Sequence, residues 1–181
     1  MTLDLLNPKI PPEDLTPAEW RGLALPERAL QLAAQFCDID HVKEQPIGSN
    51  RGEWVDTFLR YARAEPGEPW CAAFVAYCVG QAGRNMYAPN YGDGVRYPAS
   101  VVSWVDWARA AGRWSRTPRR GRLFAIARPG ETHMGFVTQA HADATFATIE
   151  GNSNENGSRE GYEVCRHTRR VDSVSGFIDI S

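Results

Sequence analysis

Up to about residue 121 the apolar positions of this chain recur at helical spacing, and beyond it they fall into short blocks. From Pro26 to Cys37, Leu30, Ala33, Ala34 and Cys37 form one stripe, and the proline suits a helix start because its fixed φ is already helical. Val55, Phe58, Leu59 and Ala62 mark a second helix over about 53–63. A third is predicted over 70–82, where Cys71, Phe74, Val75, Cys78, Val79 and Ala82 share one face and Gly80 and Gly83 mark the end. A fourth, over 100–111, has Ser100 as its cap, and a short helix is expected at Pro17–Leu23. After Gly121, Leu123–Ala127, Met134–Gln139 and Thr145–Glu150 read as strands, with Glu163–His167 and Val174–Ile180 as fainter ones. Helices first and strands later predict an α+β domain, not alternating βαβ units. Residues 1–25, with prolines at 8, 11, 12 and 17, read as an N-terminal extension wrapped over a domain spanning 26–181.

Composition narrows the class without choosing within it. A chain of 181 residues, 43% of them hydrophobic, suits one domain with a full core. A net charge of −2 lacks the footprint of a nucleic-acid binder, so no nucleic-acid partner is expected. The basic stretch Arg113–Arg122 reads as a solvated loop, with contact to an anionic polymer as the sharper alternative. No apolar run approaches the ~20 residues of a membrane span, and stable membrane insertion is not expected. The first residues lack a basic segment followed by a long apolar one, so synthesis in the cytoplasm without a standard signal peptide is expected. Four cysteines are present, at 37, 71, 78 and 165. On one helix the Cα atoms of Cys71 and Cys78 would stand about 10 Å apart, too far for a disulfide. No Cys/His spacing suits zinc, and neither a cofactor nor a required metal is predicted.

The candidate chemistry begins at Gly67-Glu68-Pro69-Trp70-Cys71-Ala72-Ala73-Phe74-Val75, which puts Cys71 in the first turn of an apolar helix. Free backbone N–H groups and the positive end of the helix dipole favour a thiolate there; thiols so placed have pKa values of roughly 3.5–7.5. A nucleophile needs a base, and the chain offers His41, His133, His141 and His167. Residues 133–140 and 144–151 resemble the arms of a hairpin turning at Ala140–Asp143. Symmetry about that turn places Val137 opposite Phe146, Gly135 opposite Thr148 and His133 opposite Glu150. Directly opposed side chains are close enough to bond, so Glu150 can orient the His133 imidazole. Gly135 shares the His133 face, and its missing side chain would let the cysteine helix approach the sheet. Asn152 follows as another polar group in reach, within a segment that otherwise reads as a turn.

Three segments, taken together and in this order, resemble the CHAP family of cysteine, histidine-dependent amidohydrolases/peptidases. They are the Trp-Cys helix start just quoted, His133-Met134-Gly135-Phe136-Val137, and Ile149-Glu150-Gly151-Asn152. Asn50-Arg51-Gly52 and the helix after it are similar to the family's approach to the cysteine, and the resemblance covers roughly residues 26–181. It implies a papain-like fold, with N-terminal helices packed on a small antiparallel sheet. It also implies Cys71 as nucleophile, His133 as general base, Glu150 as its orienting partner and Asn152 as an auxiliary polar group. The Cys71 N–H would form part of an oxyanion hole. Gly121-Arg122 departs from the Gly-Asp often found in the family before the first sheet strand.

The resemblance further implies a peptidoglycan hydrolase, an amidase or endopeptidase of the wall peptide acting at the bacterial cell wall; the expected lack of a standard signal peptide fits a phage lysin or a secreted antibacterial effector. An effector would bring an immunity or delivery protein as partner. Trp104, Trp107, Trp114, Tyr87, Tyr91 and Tyr97 are candidates to line a substrate groove, against the plainer reading of core packing. A cysteine protease or transglutaminase-like enzyme acting on protein, and a non-catalytic wall-binding module, stand as alternatives.

Overall fold

The computed structural model describes residues 12, 15–83, 86–87, 94–154 and 161–181. Helices α1 (Pro17–Gly22), α2 (Leu25–Asp38), α3 (Glu53–Tyr61), α4 (Cys71–Gln81) and α5 (Val101–Ala110) come first. Strands β1 (Trp114–Ser115), β2 (Leu123–Arg128), β3 (Glu131–Ala140), β4 (Thr145–Ser153), β5 (Glu163–Arg170) and β6 (Gly176–Ile178) then pair antiparallel in the order β1-β6-β2-β3-β4-β5. This is the expected α+β arrangement.

The cysteine helix is the centre of the molecule. The sequence pattern gave α4 one apolar stripe, but every residue from Cys71 to Val79 is buried, because α2, α3, β3 and β4 all pack around it. Aromatic edges lock this contact: Phe36 meets Phe58 at 5.2 Å and Phe74 at 6.2 Å between ring centroids, both T-shaped. Pairs of this kind add about 0.5–1.5 kcal/mol each beyond their buried area. Pro69 is not the first helical residue. Trp70 is the N-cap, so Cys71 itself opens the helix.

The sheet carries a second, smaller core on its other face, built from Phe124, Ile126, Val137, Phe146, Val174 and Phe177. Strand alternation puts His133, Gly135, Thr148, Glu150, Cys165, His167 and Arg169 on this same face. The hairpin register differs from the symmetric one by two residues. Phe136 faces Ile149 and Val137 faces Thr148, with a bulge after Val137. Side chains alternate with period two, so a two-residue shift leaves Glu150 on the His133 face. It places Glu150 beside Gly135 instead of directly opposite His133. The space over Gly135 is filled by Glu150 Cγ and the Phe124 ring: an added Cβ would lie 3.0 Å from the one and 2.9 Å from the other. The glycine that admits the cysteine helix is Gly151, where a Cβ would stand 2.8 Å from both Phe74 and Trp70.

The basic stretch is part of the fold, not a free loop. Trp114 and Ser115 pair with Ile178 and Phe177 as an edge strand. Arg113 donates to Ser181 O, Arg116 to Ser175 O, and Arg120 to both Glu27 and Thr138 O. Arg122, the departure noted before β2, donates to Ser115 Oγ at 2.8 Å and pairs with Asp179 at 3.4 Å. The unusual cation at that corner has its own carboxylate.

Candidate active site

Cys71 stands at the first position of α4, where backbone N–H groups have no partner within the helix. Trp70 before it is fully buried and donates its indole N–H to Glu44 Oε1 at 2.9 Å. Glu44 is itself held from behind: its backbone N–H donates to Tyr162 O, Lys43 bridges antiparallel to Glu163, and the Lys43 ammonium pairs with the Glu163 carboxylate at 2.9 Å. Sequence reasoning missed Glu44, which lies in an irregular loop with no pattern to mark it.

His133 is 6% exposed and rests near the Phe124 ring. Its Nε2 lies 2.8 Å from Glu150 Oε2. A carboxylate only accepts, so Nε2 carries the hydrogen and Nδ1 is left as the basic nitrogen. Burial pulls the His133 pKa down, but Cys71 and Glu150 beside it outweigh burial and raise the imidazole to about 9. Glu150 thus holds the imidazole directly, and Cys71 lines the same cavity as that ring.

Glu150 is fully buried and holds more than the imidazole. Arg169 Nε donates to Oε1 and Arg169 Nη2 to Oε2, both at 2.6 Å; Thr148 Oγ1 donates to Oε1 at 2.6 Å. Burial alone would raise this carboxyl, yet Arg169 and His133 hold it well below the usual carboxylate range. Arg169 was not singled out from the sequence. Its strand reads as merely arginine-rich, and only the pairing of Phe146 with Arg169 across β4 and β5 shows which arginine faces Glu150.

The chain of groups opens on a cavity of about 270 Å³ lined by Asn50, Cys71, Ser100, Thr132, His133 and Asn152, among others. Asn152 is not in a turn. It sits at the irregularity between Glu150 and Ser153 on β4 with φ of 54°, 5% exposed, and its Oδ1 has no partner among the described residues. Asn50 also has positive φ, 52°, and its Nδ2 donates to Gly67 O at 3.2 Å, which ties it to the segment leading into Cys71. Two left-handed asparagines thus flank one thiol. The aromatic groove expected from the sequence is mostly core. Trp104 and Trp107 are buried, and Trp114 is half-buried against Gly176. Tyr87 and Tyr97 do line a depression that adjoins the cavity through Glu68, Ala99 and Ser100; Tyr91 lies outside the described residues.

A second cysteine and histidine meet on β5. His167 Nε2 lies 3.2 Å from Cys165 Sγ and 3.0 Å from Ser153 Oγ. Here burial pushes the thiol up to about 11 and pulls the imidazole down. Cys37 is also pushed up by burial, to about 12, and Cys78 lies wholly within the core with its thiol raised for the same reason. His41 only meets the Cys37 carbonyl. Among the described residues no group of three His, Cys, Asp or Glu side chains comes together to hold a metal ion, and no helix is long and apolar enough to cross a membrane.

Residues 63–152 match the family model of the CHAP domain. A crystal structure of an N-acetylmuramoyl-L-alanine amidase from Staphylococcus aureus is similar at 16% identity and a TM-score of 0.39, over 62% of this chain and 31% of that one. This chain therefore spans about a third of that protein's length. No curated protein sequence matches this chain.

Proposed function

We propose that this chain, whose residues 63–152 match the family model of the CHAP domain, is a peptidoglycan hydrolase cleaving an amide bond of the wall peptide through Cys71, His133 and Glu150. The observation that carries the reading is a thiol at a helix start that lines one cavity with a buried imidazole, itself hydrogen-bonded to a buried carboxylate. The family match supports a hydrolase of the amidase type, and the placement of Cys71 beside the His133–Glu150 pair supports the cysteine mechanism.

In this reading the Cys71 proton passes to His133 Nδ1, while Nε2–H stays bonded to Glu150 and fixes the ring. The thiolate attacks the amide carbonyl carbon, and the carbonyl π electrons move onto oxygen. The Cys71 backbone N–H donates to that oxyanion. Asn50 supplies the second donor: one Nδ2 hydrogen is held by Gly67 O, and the other remains for the substrate oxygen. The imidazolium then protonates the leaving amine as the C–N bond breaks, leaving a thioester on Cys71. Water attacks that thioester as His133 takes its proton, and the sulfur leaves as a thiol. Asn152 lines the cavity with His133 and serves as an auxiliary polar group of the site.

The test is direct. Purified sacculi treated with the wild-type protein should lose turbidity and release muropeptides, and mass spectrometry of the new termini would distinguish amidase from endopeptidase cleavage. Undiminished release by Cys71→Ala would remove the mechanism, and inert sacculi with rapid casein turnover would move the substrate from wall peptide to protein.

A further inference from the structure

Glu150 is unusual for a carboxylate that orients an imidazole, because a complete guanidinium fork already occupies it. Both of its oxygens accept from Arg169 at 2.6 Å, and Oε2 is shared between Arg169 and His133. The Arg169 side chain is 16% exposed and its guanidinium lies over the Phe124 ring, 5.1 Å from the centroid, the same ring that supports His133. Phe124 is thus a common floor for the base and for the cation behind it.

Two physical consequences follow. A planar fork fixes a carboxylate in plane as well as in place, which a single donor does not. The orientation of Glu150 therefore comes from Arg169 and Thr148, and His133 inherits it. Arg169 also brings a full positive charge to a carboxylate in a dry site, where charges act strongly on one another. A Glu150 left alone with His133 would stabilise imidazolium without restraint. With its charge shared, the carboxylate still accepts from Nε2–H but favours the imidazolium less.

We propose that Arg169 is a positioning residue of the reaction: it clamps Glu150 in the plane that directs Oε2 at His133 Nε2, and its charge limits how tightly the imidazolium holds its proton. This rests on the Cys71–His133–Glu150 reading above. The charged and titratable groups facing this pair are Cys71 from α4, Glu131 and His133 from β3, Glu150 from β4, and Cys165 and His167 from β5. Arg169 touches both carboxylate oxygens, whereas His133 touches Oε2 alone.

The test separates charge from shape. Arg169→Gln removes a cation from beside the dyad, so the His133 titration should move up by about one pH unit or more, as expected for loss of a charge within a few ångströms. Arg169→Lys keeps the charge and loses the fork. Its titration should stay near wild type, while kcat on sacculi falls by about 10²-fold from misdirection of the base, with KM little changed. The titration is read by NMR of the His133 ring in a Cys71→Ala background with and without each Arg169 change, so it needs no substrate. Equal pH-independent losses in both variants with an unmoved His133 titration would overturn the proposal, as would wild-type rates in both. If Arg169→Gln does not fold, Arg169→Lys decides alone: an intact titration with a kcat loss supports positioning, and an unchanged kcat overturns it. A wild-type protein inert on sacculi would sink the functional reading while leaving the His133 titration to judge Arg169.

Discussion

Two cysteine–histidine pairs lie in this molecule, and their surroundings drive them in opposite directions. Cys71 meets His133 at the start of a helix, beside a cavity, and the imidazole rises to about 9. Cys165 meets His167 two residues along one strand; there burial raises the thiol to about 11 and lowers the imidazole. A cysteine beside a histidine is common to both. The difference is what stabilises charge. The first pair has a directly bonded carboxylate behind the imidazole and unpaired backbone N–H groups beside the sulfur. In the second, the same His167 nitrogen that meets the thiol faces a serine hydroxyl.

The largest effect expected from this contrast is on turnover. Cys71→Ala should lower hydrolysis of sacculi by more than about 10³-fold, as loss of a nucleophile does, while Cys165→Ser leaves it unchanged. Equal losses in the two would erase the distinction. Asn50→Ala should cost about 10²–10³-fold in kcat, the usual effect of one oxyanion donor. It should leave alkylation of Cys71 by iodoacetamide untouched, because that reaction forms no oxyanion. A matched fall in alkylation would assign Asn50 to the thiol instead.

Alkylation also tests the pairs against each other. With a pKa of about 11, Cys165 is thiolate in only about one molecule in 10⁴ at pH 7, and Cys37 is thiolate in fewer. Peptide mapping after brief iodoacetamide treatment should find the label on Cys71 first; early label on Cys165 would break the comparison. A smaller effect is expected in the pH profile. His133 must be protonated to release the leaving amine, so kcat should decline as pH rises through about 9. Stability moves in the same sense: a histidine raised on folding contributes most below its unfolded value of about 6.5, and that contribution is gone above about 9. Glu150 acts oppositely. Its lowered carboxyl stabilises the fold above about pH 4.3, and this is lost as acid protonates it. The smallest predicted change is structural: Gly151→Ala should cost about 1–3 kcal/mol by overpacking against Phe74 and Trp70, read from urea unfolding.

The first pair was legible in the sequence because its members sit in local signals: a Trp-Cys helix start, a His-x-Gly strand and a Glu-x-Asn strand end. The predicted hairpin register was wrong by two residues, yet Glu150 stayed on the right face, since strand parity survives an even shift. Arg169 and Glu44 were not legible. Each matters through a partner distant along the chain, Glu150 and Trp70, and no local period encodes which strand edge or loop returns there. Trp104 and Trp107 misled for a related reason: large aromatics look the same in a groove and in a core until the packing of α5 on the sheet is known. Asn152 was named as an auxiliary polar group of the site, but the segment around it read as a turn because its glycine- and asparagine-rich neighbours dominate that window, although β4 continues through it to Ser153.

One strand links both halves of the proposed centre. At its start, β5 holds the Lys43–Glu44 segment, and through Glu44 the indole that precedes Cys71. Near its end it carries Arg169, and through Glu150 the imidazole. In mechanical terms β5 is a second tie between thiol and base, added to the direct packing of α4 on β3 and β4. A cut in β5 at mid-length would remove both outer braces at once while leaving that direct packing in place.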